Sequence, residues 1–168
     1  NEEDFDRSLK CFDKALVYFN ECLKLTRETK DKKTEYQVLN NIGSVYAERG
    51  SYQNALKYFE FSLKRAEEAD DIEMTGKILT NMGHVYYNQG NLEESDKYYN
   101  NVINLDYEGG GADILWETYL YRGDLYAKQN DFNNAKKEYN KSINIIENIR
   151  TQINLEELKA KFLGTDKR

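Results

Sequence analysis

The stretch Asn40–Leu63 reads NNIGSVYAERGSYQNALKYFEFSL: an apolar helix pattern, a glycine, a capping residue, then a second apolar helix pattern. Forty residues later the same skeleton returns at 80–103 as TNMGHVYYNQGNLEESDKYYNNVI. Forty residues beyond that, at 120–143, it reads LYRGDLYAKQNDFNNAKKEYNKSI. Its second half also stands upstream, at 10–23, as KCFDKALVYFNECL. A fixed period of this size marks stacked supersecondary units, each unable to bury its apolar face alone.

Working outward from this stretch, the stop–start device repeats as Gly50–Ser51, Gly90–Asn91 and Asn130–Asp131. Glycine, or asparagine as its best substitute, accepts the left-handed conformation that ends a helix. Serine, asparagine or aspartate then caps the orphan amides of the next one. Apolar residues at spacings of three and four place helices at about 31–49, 52–69, 71–89, 92–105, 113–129 and 132–149. Asp70 and Asp71 offer caps between units. Upstream, Phe12, Ala15, Leu16, Phe19, Cys22 and Leu23 form one helical face over about 11–27, preceded by a short polar helix at 1–9. A last short helix is expected over about Leu155–Leu163, closed by Gly164, with Leu155, Leu158 and Phe162 sealing the final unit.

Two helices approach closely only where side chains are small. Gly43, Gly83 and Gly123 supply this on the leading helices, and Ala15, Ala55, Ser95 and Ala135 on the trailing ones. Three rows of bulky residues fill the remaining space: Tyr46, Tyr86 and Tyr126; Phe19, Phe59, Tyr99 and Tyr139; Leu23, Leu63, Ile103 and Ile143. Burying one such side chain stabilises by roughly 1.5–3 kcal/mol, so these rows are expected to carry the fold.

The repeated Leu39, Gly43, Tyr46, Ala55, Phe59 and Ser62, with their equivalents in the next two units, resemble the tetratricopeptide repeat family. The 40-residue period is similar to the extended-helix variety of Pins-type, kinesin-light-chain-type and Rap-type proteins. The early tryptophan and the terminal proline of the family are missing. The resemblance implies an all-α, right-handed solenoid of antiparallel helix pairs. It would comprise three full repeats, an N-terminal half repeat and a C-terminal capping helix. The expected division is a solenoid over 1–150, in units of about 1–30, 31–70, 71–110 and 111–150, and a capping helix with polar tail at 151–168.

The bulk composition narrows the function. Of 168 residues 32% are charged and the net charge is −6, which disfavours broad binding to nucleic-acid phosphates. No apolar run approaches the roughly 20 residues needed to cross a bilayer. The opening NEEDFDRSLK has no apolar core, so no secretory signal is expected in it, and a cytoplasmic location is the expectation. Two cysteines, Cys11 and Cys22, make neither a disulfide framework nor a metal site; Cys22 is expected in the core and Cys11 at the surface. With one histidine and no nucleophile motif, neither catalysis nor a cofactor is expected. The glycines of Tyr107–Ala112 follow no strand and precede no Gly-Lys-Ser/Thr, so they are read as a mobile connector.

The arc of each leading helix opposite its core side carries polar residues, at about 100° per residue. In the first full unit these are Gln37, Asn41, Ser44 and Glu48; in the second, Lys77, Asn81, His84 and Asn88; in the third, Glu117, Tyr121, Asp124 and Lys128. Asn40, Thr80 and Tyr87 lie at the edges of the arc. The resemblance implies that leading helices line a concave groove that receives peptides or helices, making the chain a protein-interaction scaffold. Asn41 and Asn81 then form an amide ladder suited to a peptide backbone, and His84 faces Asp124 on the next leading helix. Residues 149–163 are also similar to the connector preceding a caspase-like CHAT peptidase in some bacterial proteins, so the alternative is the sensing part of a larger enzyme. Self-association through Phe12, Leu16 and Phe19 of the half repeat is a third expectation.

Overall fold

The computed structural model describes residues 2–105, 107 and 110–165, and the side chains of these except 2–9, 158 and 160–165. Among the described residues it contains seven helices and no strand. They are α1 (Glu2–Thr29), α2 (Lys32–Glu48), α3 (Tyr52–Glu68), α4 (Ile72–Asn88), α5 (Leu92–Ile103), α6 (Ala112–Lys128) and α7 (Phe132–Thr165). The chain forms two compact bodies, Asn1–Glu108 with α1–α5 and Gly109–Arg168 with α6–α7. The all-α helical-repeat reading holds, and the boundaries of α2 to α6 lie within two residues of those read from the sequence.

The turns explain that agreement. Lys30, Gly50, Asp70, Gly90 and Asn130 all have positive φ, between 52° and 80°. After each, the next residue returns its N–H to the carbonyl five positions back, as in Ser51 to Tyr46 (2.8 Å), Asn91 to Tyr86 (2.9 Å) and Asp131 to Tyr126 (2.9 Å). This is the Schellman closure, and it satisfies the orphan carbonyls of the ending helix. The following helix is capped by the side chain of Asp31 on the Thr34 N–H, Asp71 on Met74, Asn91 on Glu94 and Asp131 on Asn134. Ser51 departs from expectation. Its side chain makes no cap bond to the backbone and instead accepts from Asn54 Nδ2 at 3.0 Å.

The core of the first body lies between successive helices. Leu23 packs with Val38, Leu39 and Ile42, so α1 covers α2. Ala55, Phe59 and Ala66 of α3 pack with Met74, Ile78, Met82 and Val85 of α4. Ser62 Oγ donates to the Tyr36 carbonyl at 2.6 Å, and Ser142 Oγ repeats this bond to Trp116 at 2.7 Å in the second body. These two serines tie trailing to leading helix. A Cβ built on Gly43 would lie 2.7 Å from the Phe59 ring and one on Gly83 2.6 Å from the Tyr99 ring; on Gly123 it would collide with Tyr139. The glycines therefore make room for the aromatic row itself.

Both ends of the chain differ from the sequence reading. α1 runs unbroken through Lys10–Cys11, where later units turn. Cys11 supplies no good acceptor for a new helix start. Cys11 is exposed, as expected, whereas Cys22 is only half-buried. Phe12, Leu16 and Phe19 are half-buried, and beside them Val17 and Tyr18 are exposed. At the other end the separate capping helix does not form as such, because α7 continues to Thr165 and includes Gly164. Thr151 does not cap a new start; its hydroxyl donates to the Glu147 carbonyl at 2.8 Å, an arrangement of helix interiors. Leu155 is exposed, and the side chains of Leu158 and Phe162 lie outside the described residues. Ile143, expected in the third core row, is 54% exposed. Part of the connector expected at Tyr107–Ala112 lies outside the described residues; Tyr107 itself is half-buried, donates to the Val102 carbonyl and covers Gly76.

Candidate functional site

In the first body the leading helices α2 and α4 pack against each other. Their solvent side carries Gln37, Asn41 and Lys77 exposed and Ser44, Asn81 and His84 half-exposed. Glu48 and Asn88 stand exposed at the helix ends. Two residues expected at the edges of this arc are not part of its surface. Asn40 is 2% exposed, and its Oδ1 accepts from Asn81 Nδ2 at 3.0 Å. Thr80 is equally buried and its hydroxyl donates to the Gly76 carbonyl at 3.0 Å. The reason is the helical step: adjacent residues diverge by about 100°, so Asn40 turns inward while Asn41 stays out.

The amide ladder is thus built differently from expectation. The bond runs from Asn81 to Asn40, joining consecutive leading helices, while Asn41 remains at the surface. Such a bond contributes on the order of 1 kcal/mol net and holds the Asn81 amide in one orientation. The Ser44 hydroxyl is turned back to the Asn40 carbonyl at 3.2 Å. The His84 ring lies 6.1 Å from that of Tyr87, tilted by 58°.

In the second body, α6 carries Glu117, Tyr121 and Asp124 half-buried and Lys128 exposed. Tyr121 donates to Glu117 Oε1 at 2.9 Å, and Asp124 Oδ1 accepts from the Tyr139 hydroxyl at 2.7 Å. The carboxylate expected to face His84 is thereby engaged inside its own helix pair. Burial first, then the neighbouring carboxylate Glu117, push the Tyr121 phenol up to about 12. Burial and the Asp71 hydrogen bond do the same for Tyr36. Burial and the adjacent Tyr86 raise Tyr98 to about 12 as well. All three therefore stay neutral throughout the physiological range.

The sequence reading missed one cluster. Glu138 on α7 is buried, lies 3.5 Å from Arg122 and accepts from Lys141 at 2.8 Å. Arg122 also donates to the Tyr126 hydroxyl at 3.0 Å, with its guanidinium 5.4 Å from that ring, and Lys141 lies over Tyr119 at 4.9 Å. The signal was present in the repeat: the columns Ile42–Met82 and Tyr58–Tyr98 continue as Arg122 and Glu138, opposite charges appearing together. Among the described residues no three His, Cys, Asp or Glu side chains could hold a metal ion, and no helix is long and apolar enough to cross a membrane.

A tetratricopeptide repeat family model matches residues 4–68 and 74–148, and the chain belongs to that family. Among solved structures it is similar to BtubC from P. vanneervenii, at 17% identity and TM-score 0.69, over 84% of this chain and 59% of that one. NprR in complex with its cognate peptide NprX is similar at 24% identity and TM-score 0.67, over 89% of this chain and 45% of that one. The apo form of RapI follows at 17% identity and TM-score 0.51, over 86% and 65%. The chain thus spans less than two thirds of each of these proteins, and at these identities the likeness is one of fold. No curated protein matches the sequence.

Proposed function

We propose that the chain is a non-catalytic interaction module of a cytoplasmic protein, taking a peptide or helix of a protein partner along the leading-helix face of α2 and α4. One observation carries this reading. Gln37, Asn41, Lys77 and Asn81 display amides and a cation side by side on a face whose neighbours Asn40 and Thr80 are consumed by the fold. Amides both donate and accept, so they can match a peptide backbone without demanding one side-chain sequence. Asn81, oriented through its N–H on Asn40, keeps its carbonyl oxygen for a ligand, and Lys77 adds an attraction for acidic segments. His84 and Asn88 extend this face, and Tyr121, Asp124 and Lys128 offer the corresponding arc on α6. That NprR has been crystallised with a peptide supports the reading, as does the negative net charge, which disfavours a nucleic-acid partner.

The test uses peptides selected by display against the intact chain. Replacing Asn41, Lys77 and Asn81 together by Ala removes about three hydrogen-bonding groups and should weaken such peptides at least tenfold. Helicity by circular dichroism should not change. Undiminished affinity would place the binding face elsewhere.

A further inference from the structure

The trailing helices α3 and α5 start at equivalent caps, Ser51 and Asn91, and the helices after them start at Asp71 and Gly111, the same interval on. Yet α3 has 17 residues and α5 only 12. The sequence after Ile103 does not explain the difference. It runs on as Asn104-Leu-Asp-Tyr-Glu108, with no glycine or proline before Gly109. The cap residue Asn104 has φ −91°, whereas Gly50, Asp70, Gly90 and Asn130 close their helices at positive φ. The usual local stop signals are missing where α5 ends.

The side chain of Tyr107 stands in their place. In the preceding unit Tyr36 of α2 and Ala66 of α3 are buried in one cluster. Forty residues on, these two positions hold Gly76 and Asp106. The ring that Gly76 lacks is supplied by Tyr107. Its hydroxyl fills the space a Cβ on residue 76 would take, with ring atoms 3.2 and 3.3 Å from that point. The same hydroxyl donates to the Val102 carbonyl at 3.2 Å. In a continued helix this carbonyl would accept the N–H of the residue four positions on. The seated ring and the next turn of helix therefore compete for one acceptor. Continuing α5 would carry Tyr107 to the place of exposed Glu67 and Asp106 to that of buried Ala66, and would uncover Gly76. Each arrangement gives up something that the other keeps.

We infer that α5 is a helix of two lengths, switched by Tyr107. Seated over Gly76, the ring holds α5 at 12 residues; withdrawn, it lets the helix run on through Tyr107. Whatever fills the space over Gly76 in place of this ring thereby sets the length of α5. Backbone NMR on the whole chain reads the switch from the Cα shifts of Asn104, Leu105 and Tyr107, which are non-helical in the unmodified protein. Gly76→Leu displaces the ring and moves all three to helical values, while residues 92–103 keep theirs. This variant leaves the responding segment unaltered, so its gain does not come from helix propensity. Gly76→Ala is the milder form and moves the same shifts in the same direction. Tyr107→Ala withdraws the ring from the other side and gives the same elongation at Asn104 and Leu105. Helical shifts through Tyr107 in the unmodified chain overturn the inference. So do non-helical shifts in the Gly76 variants, or elongation in Tyr107→Ala alone, which the propensity of alanine would explain.

Discussion

The same three columns of the repeat are filled in two chemically opposite ways. In α2–α3, Tyr46 and Tyr58 stack with centroids 5.4 Å apart and planes 11° apart, and in α4–α5 Tyr86 and Tyr98 do so at 5.2 Å and 17°. Beside them Ile42 and Met82 are fully buried. In α6–α7 the corresponding residues are Tyr126, Glu138 and Arg122, an ion pair laid over one remaining ring. Offset aromatic stacking gains area and about 0.5–1.5 kcal/mol beyond it. A buried ion pair must first offset the desolvation of two charges, and often does no better than apolar residues of the same volume. The repeat geometry therefore does not demand either solution. It demands that the two columns change together.

The sharpest way to break this comparison is to change one column only. Arg122→Met leaves the buried Glu138 with Lys141 as its remaining cation, a side chain still about half exposed. Losing one partner of a buried pair costs about 3 kcal/mol, read as a shift of the urea midpoint. Adding Glu138→Tyr recreates the Met82 and Tyr98 combination and should recover most of that loss. If the double variant is no better than the single, the columns are not coupled and the comparison fails.

A second contrast sharpens what all three hairpins share. Gly83→Ala adds a Cβ only 2.6 Å from the ring of Tyr99, a residue with no exposed surface and no room to retreat. Overpacking of this kind costs about 2 kcal/mol even though alanine is the better helix former by about 1 kcal/mol. Gly50→Ala meets no neighbouring atom and strains only its left-handed backbone, with φ 73°, for about 1 kcal/mol. Thermal melts of the two variants should rank them in that order. A stabilised Gly83→Ala chain would show that the helix pair can open without loss.

Much of this was legible because the repeat states it several times. Gly43, Gly83 and Gly123 recur at a fixed interval, and each proves to lie under an aromatic ring. The face proposed for binding was legible as an arc but not residue by residue. Asn40 and Asn41 are neighbours of one residue type, and only the packing of α2 on α4 assigns one to the interior and the other to the surface. The chain ends were legible less well: the short helix read at 1–9 is part of α1, and the helix read at about Leu155–Leu163 with Gly164 as its stop is part of the continuous α7. A glycine permits the left-handed turn that ends a helix but does not oblige it.

The smallest contrast tests whether a capping residue acts wherever it stands. Ser51 and Asp131 hold the same place in their repeats, each just after a left-handed residue. The Asp131 carboxylate accepts from both the backbone N–H and the side-chain amide of Asn134, at 3.1 and 2.7 Å, whereas Ser51 bonds only the side chain of Asn54. A cap stabilises by satisfying an orphan backbone donor, so the bond to the side chain alone does little. Asp131→Ala should cost about 1 kcal/mol and Ser51→Ala less than about 0.5 kcal/mol, a difference resolvable in paired urea titrations. Equal losses would mean that Ser51 swings onto the backbone in solution, and that the α3 start is held as its counterparts are.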